Sequence, residues 1–309
     1  MDSYGFRFSA MSSVCEIRLD GDDEPLLALA AQRAIDEVHR IELKYSRYRD
    51  DSIVSQINAA AGRGEPLLVD DETASLLDFA AQLHTLSDGL FDITSGVLRR
   101  VWNFRTGRLP EAAALARVLP LIGWSQVRWQ DGCIDLGRAG MELDFGGFGK
   151  EYAADRAAAV LAAAGQRHGF VNLGGDIRVL GPRADGRPWR FGIQHPRRDE
   201  GTIAAVDMSD GALATSGDYE RFFEHQGRRY CHILDPRTGW PVSSWASISV
   251  TAPACVAAGA LSTIAMLKGK QAREFLSTQR ATCLAVDTSL QRFQSGPTEG
   301  RPFVFGVNE

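Results

Sequence analysis

Apolar residues recur at helical spacing between Pro25 and Tyr45. Leu27, Ala31, Ala34, Ile35, Val38 and Ile41 fall on one face, which predicts a long amphipathic helix. Pro25 stands where a first-turn proline is tolerated. A second helix is predicted from about Glu72 to Leu86, with Asp70 or Asp71 as its cap. Shorter helices are expected over Gly96–Phe104 and Glu111–Leu121, and the opening FRFSAMSSVCEIRLDG, which partly alternates, reads as a strand. From Trp129 onward the pattern changes. Runs of strand length follow one another: GCIDLG, MELDFG, GFVNLGG, IRVLG, RFGIQH, TIAAVDM, RRYCHIL, ASISVTA and ATCLAV. Two Ala-rich helical stretches, Lys150–Ala164 and Cys255–Leu267, interrupt them. Strands and helices do not alternate regularly, so an α+β fold with mixed or antiparallel sheets is expected rather than a doubly wound sheet. Residues 1–309 are expected to form a single domain, helix-rich to about residue 125 and strand-rich from about 126.

Composition narrows the function classes. With 309 residues, 44% of them hydrophobic, the chain can bury a sizeable core. A net charge of −5 and the absence of a Lys/Arg run interleaved with aromatics argue against a nucleic-acid surface. An anionic small molecule is still allowed, because it needs only a few local cations. The five cysteines are scattered without a CxxC, which fits neither a disulfide framework nor a zinc site but suits a reducing compartment. The first residues lack a basic segment followed by an apolar one, so no signal peptide is expected and a cytoplasmic location is. No charged residue lies between Arg237 and Lys268, yet Gly239, Pro241, Pro253 and Gly259 make this stretch a strand and a small-residue helix, not a membrane span.

Five motifs are candidates for chemistry. LDFGGFGKEYAADRAA, Leu143 to Ala158, reads as a strand, a glycine-rich turn and a helix opening at Lys150, where free backbone N–H groups and the helix dipole favour a phosphate. It is not a P-loop, because Asp144 occupies the first glycine position and Glu151 follows Lys150. Gly174-Gly175 in NLGGDIRVLG reads as a tight corner. Asp92 in FDITSG reads as a helix cap. CVAAGALSTIAML reads as a helix packed closely on a neighbouring backbone. In TSGDYERFFEHQGRRYCHILDPRTGWP, His232 precedes Asp235 by three positions and follows Asp218. A histidine of near-neutral pKa, oriented by a carboxylate, suits general-base work. Cys231 would point to the opposite face of a strand, so a thiol nucleophile is not expected.

Taken in order, these motifs resemble the ApbE-type flavin transferases, the FAD:protein FMN transferases. FSAMSS is similar to the family's Ala-Met-Gly-Thr opening strand, and YSRYRDDSIVSQIN to its Ser-x-Tyr segment. FDITSGVLRRVWNF resembles its Phe-Asp-Ile-Thr helix, while LDFGGFGKEYAAD, VNLGGDIRVLG, ALATSGDYERFF, HILDPRTGWPV and AGALSTIAML resemble the remaining blocks. The resemblance implies an ApbE-like α+β fold with an FAD cleft, a magnesium ion at the pyrophosphate, and transfer of FMN to a Ser or Thr hydroxyl of an acceptor protein with release of AMP. It places Met11, Tyr48, Leu90, Phe91, Asp92, Asp144, Lys150 and Ile233 on flavin-contacting positions, His232 as the catalytic histidine, and Gly147 (by its carbonyl) and Thr263 on the metal.

The chain departs from the family at the metal. Gly259 stands where an aspartate is expected in Ala258-Gly259-Ala260-Leu261-Ser262-Thr263, which should weaken magnesium binding, and Asp176 and Asp218 are candidate replacements. Ser12 and Glu151 replace glycines. These differences keep a second reading open, a non-catalytic or weakly hydrolytic FAD- or FMN-binding protein. Asp210–Thr215 faintly resembles an acceptor motif and is read as coincidence.

Overall fold

The structure, a computed structural model, describes residues 1–198, 200–296 and 303–304. Its centre is an eight-stranded sheet whose spatial order follows chain order: Asp2–Ala10, Ser13–Gly21, Gly169–Leu173, Asp176–Gly181, Ala212–Gly217, Trp245–Ala252, Thr282–Asp287 and Arg292–Ser295. Every neighbouring pair is antiparallel. The expected α+β class with antiparallel sheets is what the chain adopts.

Side-chain alternation splits the sheet between two cores. Val171, Leu173, Val250 and Ala285 face the helices, whereas Phe170, Ile177, Val179, Leu213 and Val286 face a smaller sheet built from Trp189–Gln194, Thr202–Met208 and Phe303–Val304. Seven α-helices are described: α1 (Glu24–Tyr45), α2 (Ile53–Ala59), α3 (Asp71–Leu86), α4 (Ala112–Val118), α5 (Gly149–Ala163), α6 (Cys255–Lys268) and α7 (Ala272–Thr278). The spaced apolar face of α1 is buried as its periodicity predicts. Asp70, not Asp71, caps α3 by accepting a hydrogen bond from Thr73 N at 2.9 Å. The alanines of α5 leave room for close packing, with Ala153, Ala154 and Ala157 wholly buried. A charged link ties three helices together: Glu72 of α3 accepts from Arg40 and Lys44 of α1 and from Tyr152 of α5.

Several elements differ from the pattern-based expectation. The opening segment is a hairpin, not one strand, and its turn residues Met11 and Ser12 take left-handed φ values of 51° and 61°. MELDFG forms no strand. The side chain of Asn58 on α2 accepts from Leu143 N (2.6 Å) and donates to Leu143 O (3.1 Å), doing for that backbone what a partner strand would do. The helix expected over 96–104 is a 3-10 helix at Ile93–Arg100, started earlier by Asp92. RRYCHIL is a strand only over Arg228–Cys231, paired with Phe222–His225. Helices α2 and α7 gave too few residues of clear period to be foreseen.

That short hairpin is fixed by a third cluster in which Leu98, Trp102, Leu115, Phe223 and Tyr230 are buried together. Trp102 Nε1 donates to the carbonyl of Gly239 at 2.7 Å. Gly239 has φ +70°, and a Cβ there would lie 2.5 Å from Leu115 Cδ1, so glycine is favoured on both counts. The segment carrying His232 is thereby held against the helical part of the chain.

Candidate active site

Helices α5 and α6 set the base of the site. Asp155 of α5 accepts from the backbone N–H of Cys255 and Val256, both at 2.9 Å, and so caps α6 from outside. One turn earlier on α5, the buried Glu151 side chain reaches Gly259: a Cβ on that glycine would lie 2.4 Å from Glu151 Oε1. At Gly259 the small-residue helix accommodates a side chain, while along its length it packs closely on strands Ala212–Gly217 and Trp245–Ala252, as its composition suggested. Beside it, Ser216 Oγ lies 2.8 Å from Ser262 Oγ and 2.9 Å from Thr263 Oγ1.

Lys150 takes another direction, because consecutive helical residues are about 100° apart. Its ammonium forms an ion pair with Asp176 at 2.9 Å and donates to Gly174 O at 3.4 Å. Burial opposes its charge, but Asp176 and then Glu151 outweigh this and hold its pKa above the usual value. Burial raises the pKa of both Asp176 and Glu151 above the usual carboxylate range, with the lysine partly offsetting it. The Gly174-Gly175 pair is the expected tight corner, with φ of 59° and 97°. A Cβ on Gly174 would lie 2.7 Å from Ser13 Cβ and 3.5 Å from Lys150 Nζ, which brings the Met11–Ser13 hairpin tip beside the lysine. Met11 itself is half-buried and its N–H donates to Glu42 at 2.7 Å.

His232 lies just past its strand, anchored by its backbone N–H to Arg221 O at 3.0 Å. His232 is exposed to solvent, yet many protein atoms surround its ring at short range. That crowding, then the Arg221 charge and the more distant Lys150 charge, push its pKa down to about 4. Whether at that value or at the ordinary 6.5, the imidazole is neutral at pH 7. Cys231 points inward, as strand geometry predicts, and burial pushes its thiol up to about 11, so it is no nucleophile. All five cysteines carry free thiols.

Neither carboxylate expected to orient His232 forms a hydrogen bond or ion pair with it. Asp235 accepts from Arg237 N (2.9 Å) and pairs with its guanidinium (2.9 Å), organising the turn that leads to Gly239. Asp218 is clamped by Arg197 at 2.6 and 2.7 Å, with Arg229 at 3.6 Å. Closeness in sequence misled here because each aspartate found a cation first.

Across the glycine loop lies a second group. Asp144 pairs with Arg47, whose other nitrogen donates to Tyr48 OH at 2.9 Å while its guanidinium covers the Tyr48 ring at 5.0 Å. Tyr48 is 73% exposed, an unusual position for an aromatic ring. Gly147 packs on Phe91, since a Cβ there would lie 2.8 Å from its ring. The helical ladder of α5 starts at the Phe148 carbonyl, leaving the Gly147 carbonyl outside it. Leu90, Phe91 and Ile233 are buried. Asp92 is the expected cap, accepting from Thr94 N (2.8 Å) and from Trp124 N (2.9 Å). At this degree of burial none of these side chains is presented at the surface. Sequence reasoning did not single out Arg47 or Arg221; an Arg-Tyr pair following a helix was the one signal available for the first.

Among the described residues no group of three or more His, Cys, Asp or Glu side chains is placed to hold a metal, and no helix is long and apolar enough to cross a membrane. The sequence profile described as the ApbE family matches residues 11–286. The FAD:protein FMN transferase of Treponema pallidum is 33% identical over 265 residues, which cover 78% of this chain and 73% of that protein. That of Vibrio cholerae is 30% identical over 255 residues, covering 81% and 75%. Of solved structures, the ApbE protein of Thermotoga maritima superposes with a TM-score of 0.87 at 32% identity, covering 95% of this chain and 97% of its own. The flavin transferase ApbE of Vibrio cholerae gives 0.85 at 26% identity, covering 98% and 99%. With the matched profile spanning most of its length, this chain belongs to the ApbE family.

Proposed function

We propose that this chain is an FAD:protein FMN transferase that moves FMN from FAD to a Ser or Thr hydroxyl of an acceptor protein. The reading is supported by Lys150 beside the Gly174-Gly175 corner and by a neutral His232 on which the Lys150 charge acts, in a chain of this family. The acceptor hydroxyl oxygen attacks the phosphorus of the FMN half, the P–O bond to the AMP half breaks, and AMP leaves with the bridging oxygen. His232 takes the hydroxyl proton on its free ring nitrogen. Lys150, already in an ion pair, and the N–H groups at the start of α5 offset charge on the phosphate oxygens. Tyr48, covered by Arg47 on one side, offers an exposed ring for stacking on the flavin or adenine.

Two of the oxygen donors a magnesium ion would need are present. Its donors would be the Gly147 carbonyl, which lies outside the α5 ladder, and the Thr263 hydroxyl, oxygen ligands of the kind that ion prefers. When bound it would neutralise charge on the diphosphate. A cytoplasmic location belongs to this reading and is supported by the free thiols.

Gly259 favours the rival, a flavin binder or slow hydrolase. Incubating the protein with FAD and Mg²⁺, with and without a flavinylatable acceptor, decides between them. AMP together with a fluorescent acceptor is the expected result. AMP alone identifies a hydrolase, and intact bound FAD a binder; either overturns the transferase.

A further inference from the structure

Glu151 is 8% exposed, and its carboxylate makes no hydrogen bond or ion pair with another residue among the described ones. Burial without a hydrogen-bonding neighbour disfavours its charged form, which a cation placed beside it would favour. Oε1, Cγ and Cδ would lie 2.4, 2.6 and 2.8 Å from a Cβ on Gly259, so the space that a side chain at 259 would fill from α6 is filled from α5. Residue 259 is one turn from Thr263, whose hydroxyl belongs to the Ser216 cluster. Of the other acids nearby, Asp176 is committed to Lys150 at 2.9 Å, Asp155 to the N–H groups of α6 and Asp218 to Arg197, while Glu220, whose charge reaches Lys150 and Asp176, is exposed to solvent.

We infer that Glu151 supplies the carboxylate of a divalent-cation site whose remaining protein donors are the Thr263 hydroxyl and the Gly147 carbonyl. The glycine at 259 and the glutamate at 151 are then one feature, a carboxylate moved from α6 to α5 while its destination stays the same. Only the cation's role at a diphosphate rests on the proposed flavin transfer; its binding does not. Oxygen donors with a single carboxylate suit Mg²⁺, which keeps several waters and is completed by substrate phosphate.

The test is a titration of the full chain with Mn²⁺ in the absence of flavin, reading free Mn²⁺ by electron paramagnetic resonance, with Mg²⁺ as competitor. The parent is expected to bind one Mn²⁺ that Mg²⁺ displaces. Glu151→Gln, equal in shape but uncharged, should weaken binding at least tenfold without lowering Tm. The double exchange Glu151→Gly with Gly259→Asp should restore binding to within a few-fold of the parent. Gly259→Asp alone runs into Glu151 and should lower Tm. A parent that binds no Mn²⁺, or a Glu151→Gln variant that binds it as well as the parent, overturns the inference. Flavin binding followed separately keeps the two ideas apart. FAD binding and FMN transfer with metal affinity indifferent to Glu151 sink this site alone. Glu151-dependent Mn²⁺ binding without any FAD binding supports this site and sinks only the flavin reading.

Discussion

Asp155 on α5 holds the first turn of α6 by accepting two backbone hydrogen bonds, from Cys255 and Val256, each at 2.9 Å. Arg178 approaches the same carboxylate at 3.3 Å. This cap sets the antiparallel register of the two helices, and with it the meeting of Glu151 and Gly259 one turn further on. Asp155→Ala should cost about 1–2 kcal/mol, in the range of a lost helix cap, whereas Asp155→Asn retains an acceptor and should cost less. Urea denaturation of the two variants checks this, and equal losses would contradict a cap.

His232 yields a pH prediction. Crowding, Arg221 and Lys150 all disfavour its protonation, so in the free protein it should gain a proton only as pH falls through about 4. A bound diphosphate brings negative charge opposite those cations, which raises the value. The acid limb of kcat/KM, which reports the free enzyme, should therefore lie at lower pH than the acid limb of kcat. Histidine NMR should give the same order: a midpoint near 4 without FAD and an upward move with it. A free-protein midpoint at 6.5 that FAD leaves unchanged contradicts the argument. His232→Ala should keep FAD binding and lose FMN transfer; full activity in that variant ends the assignment of the base.

Gly239 should be irreplaceable. An alanine there adopts a left-handed conformation, costing about 1–2 kcal/mol, and drives a methyl into Leu115, costing about 1–3 kcal/mol more. Gly239→Ala should lower stability by the sum, read as a drop in the denaturation midpoint. A loss below about 1 kcal/mol would show that the turn relaxes at little cost.

The parts of this protein that its sequence determined by itself are those governed by neighbours along the chain. The apolar face of α1, the caps Asp70 and Asp92, the Gly174-Gly175 corner and the opposite facing of Cys231 and His232 all follow from backbone periods and local hydrogen bonds. The order of motifs was equally legible, since each glycine-rich turn needs its own few residues. Tertiary structure alone decided which group each charge would meet. Asp235 turned to Arg237, Asp218 to Arg197, Asp144 to Arg47, and Glu151 to the open face of Gly259. Leu143 lost its strand to the side chain of Asn58, 85 positions away. Hydrogen bonds and ion pairs act over a few ångströms, and only the folded chain says which residues, remote in sequence, stand that close.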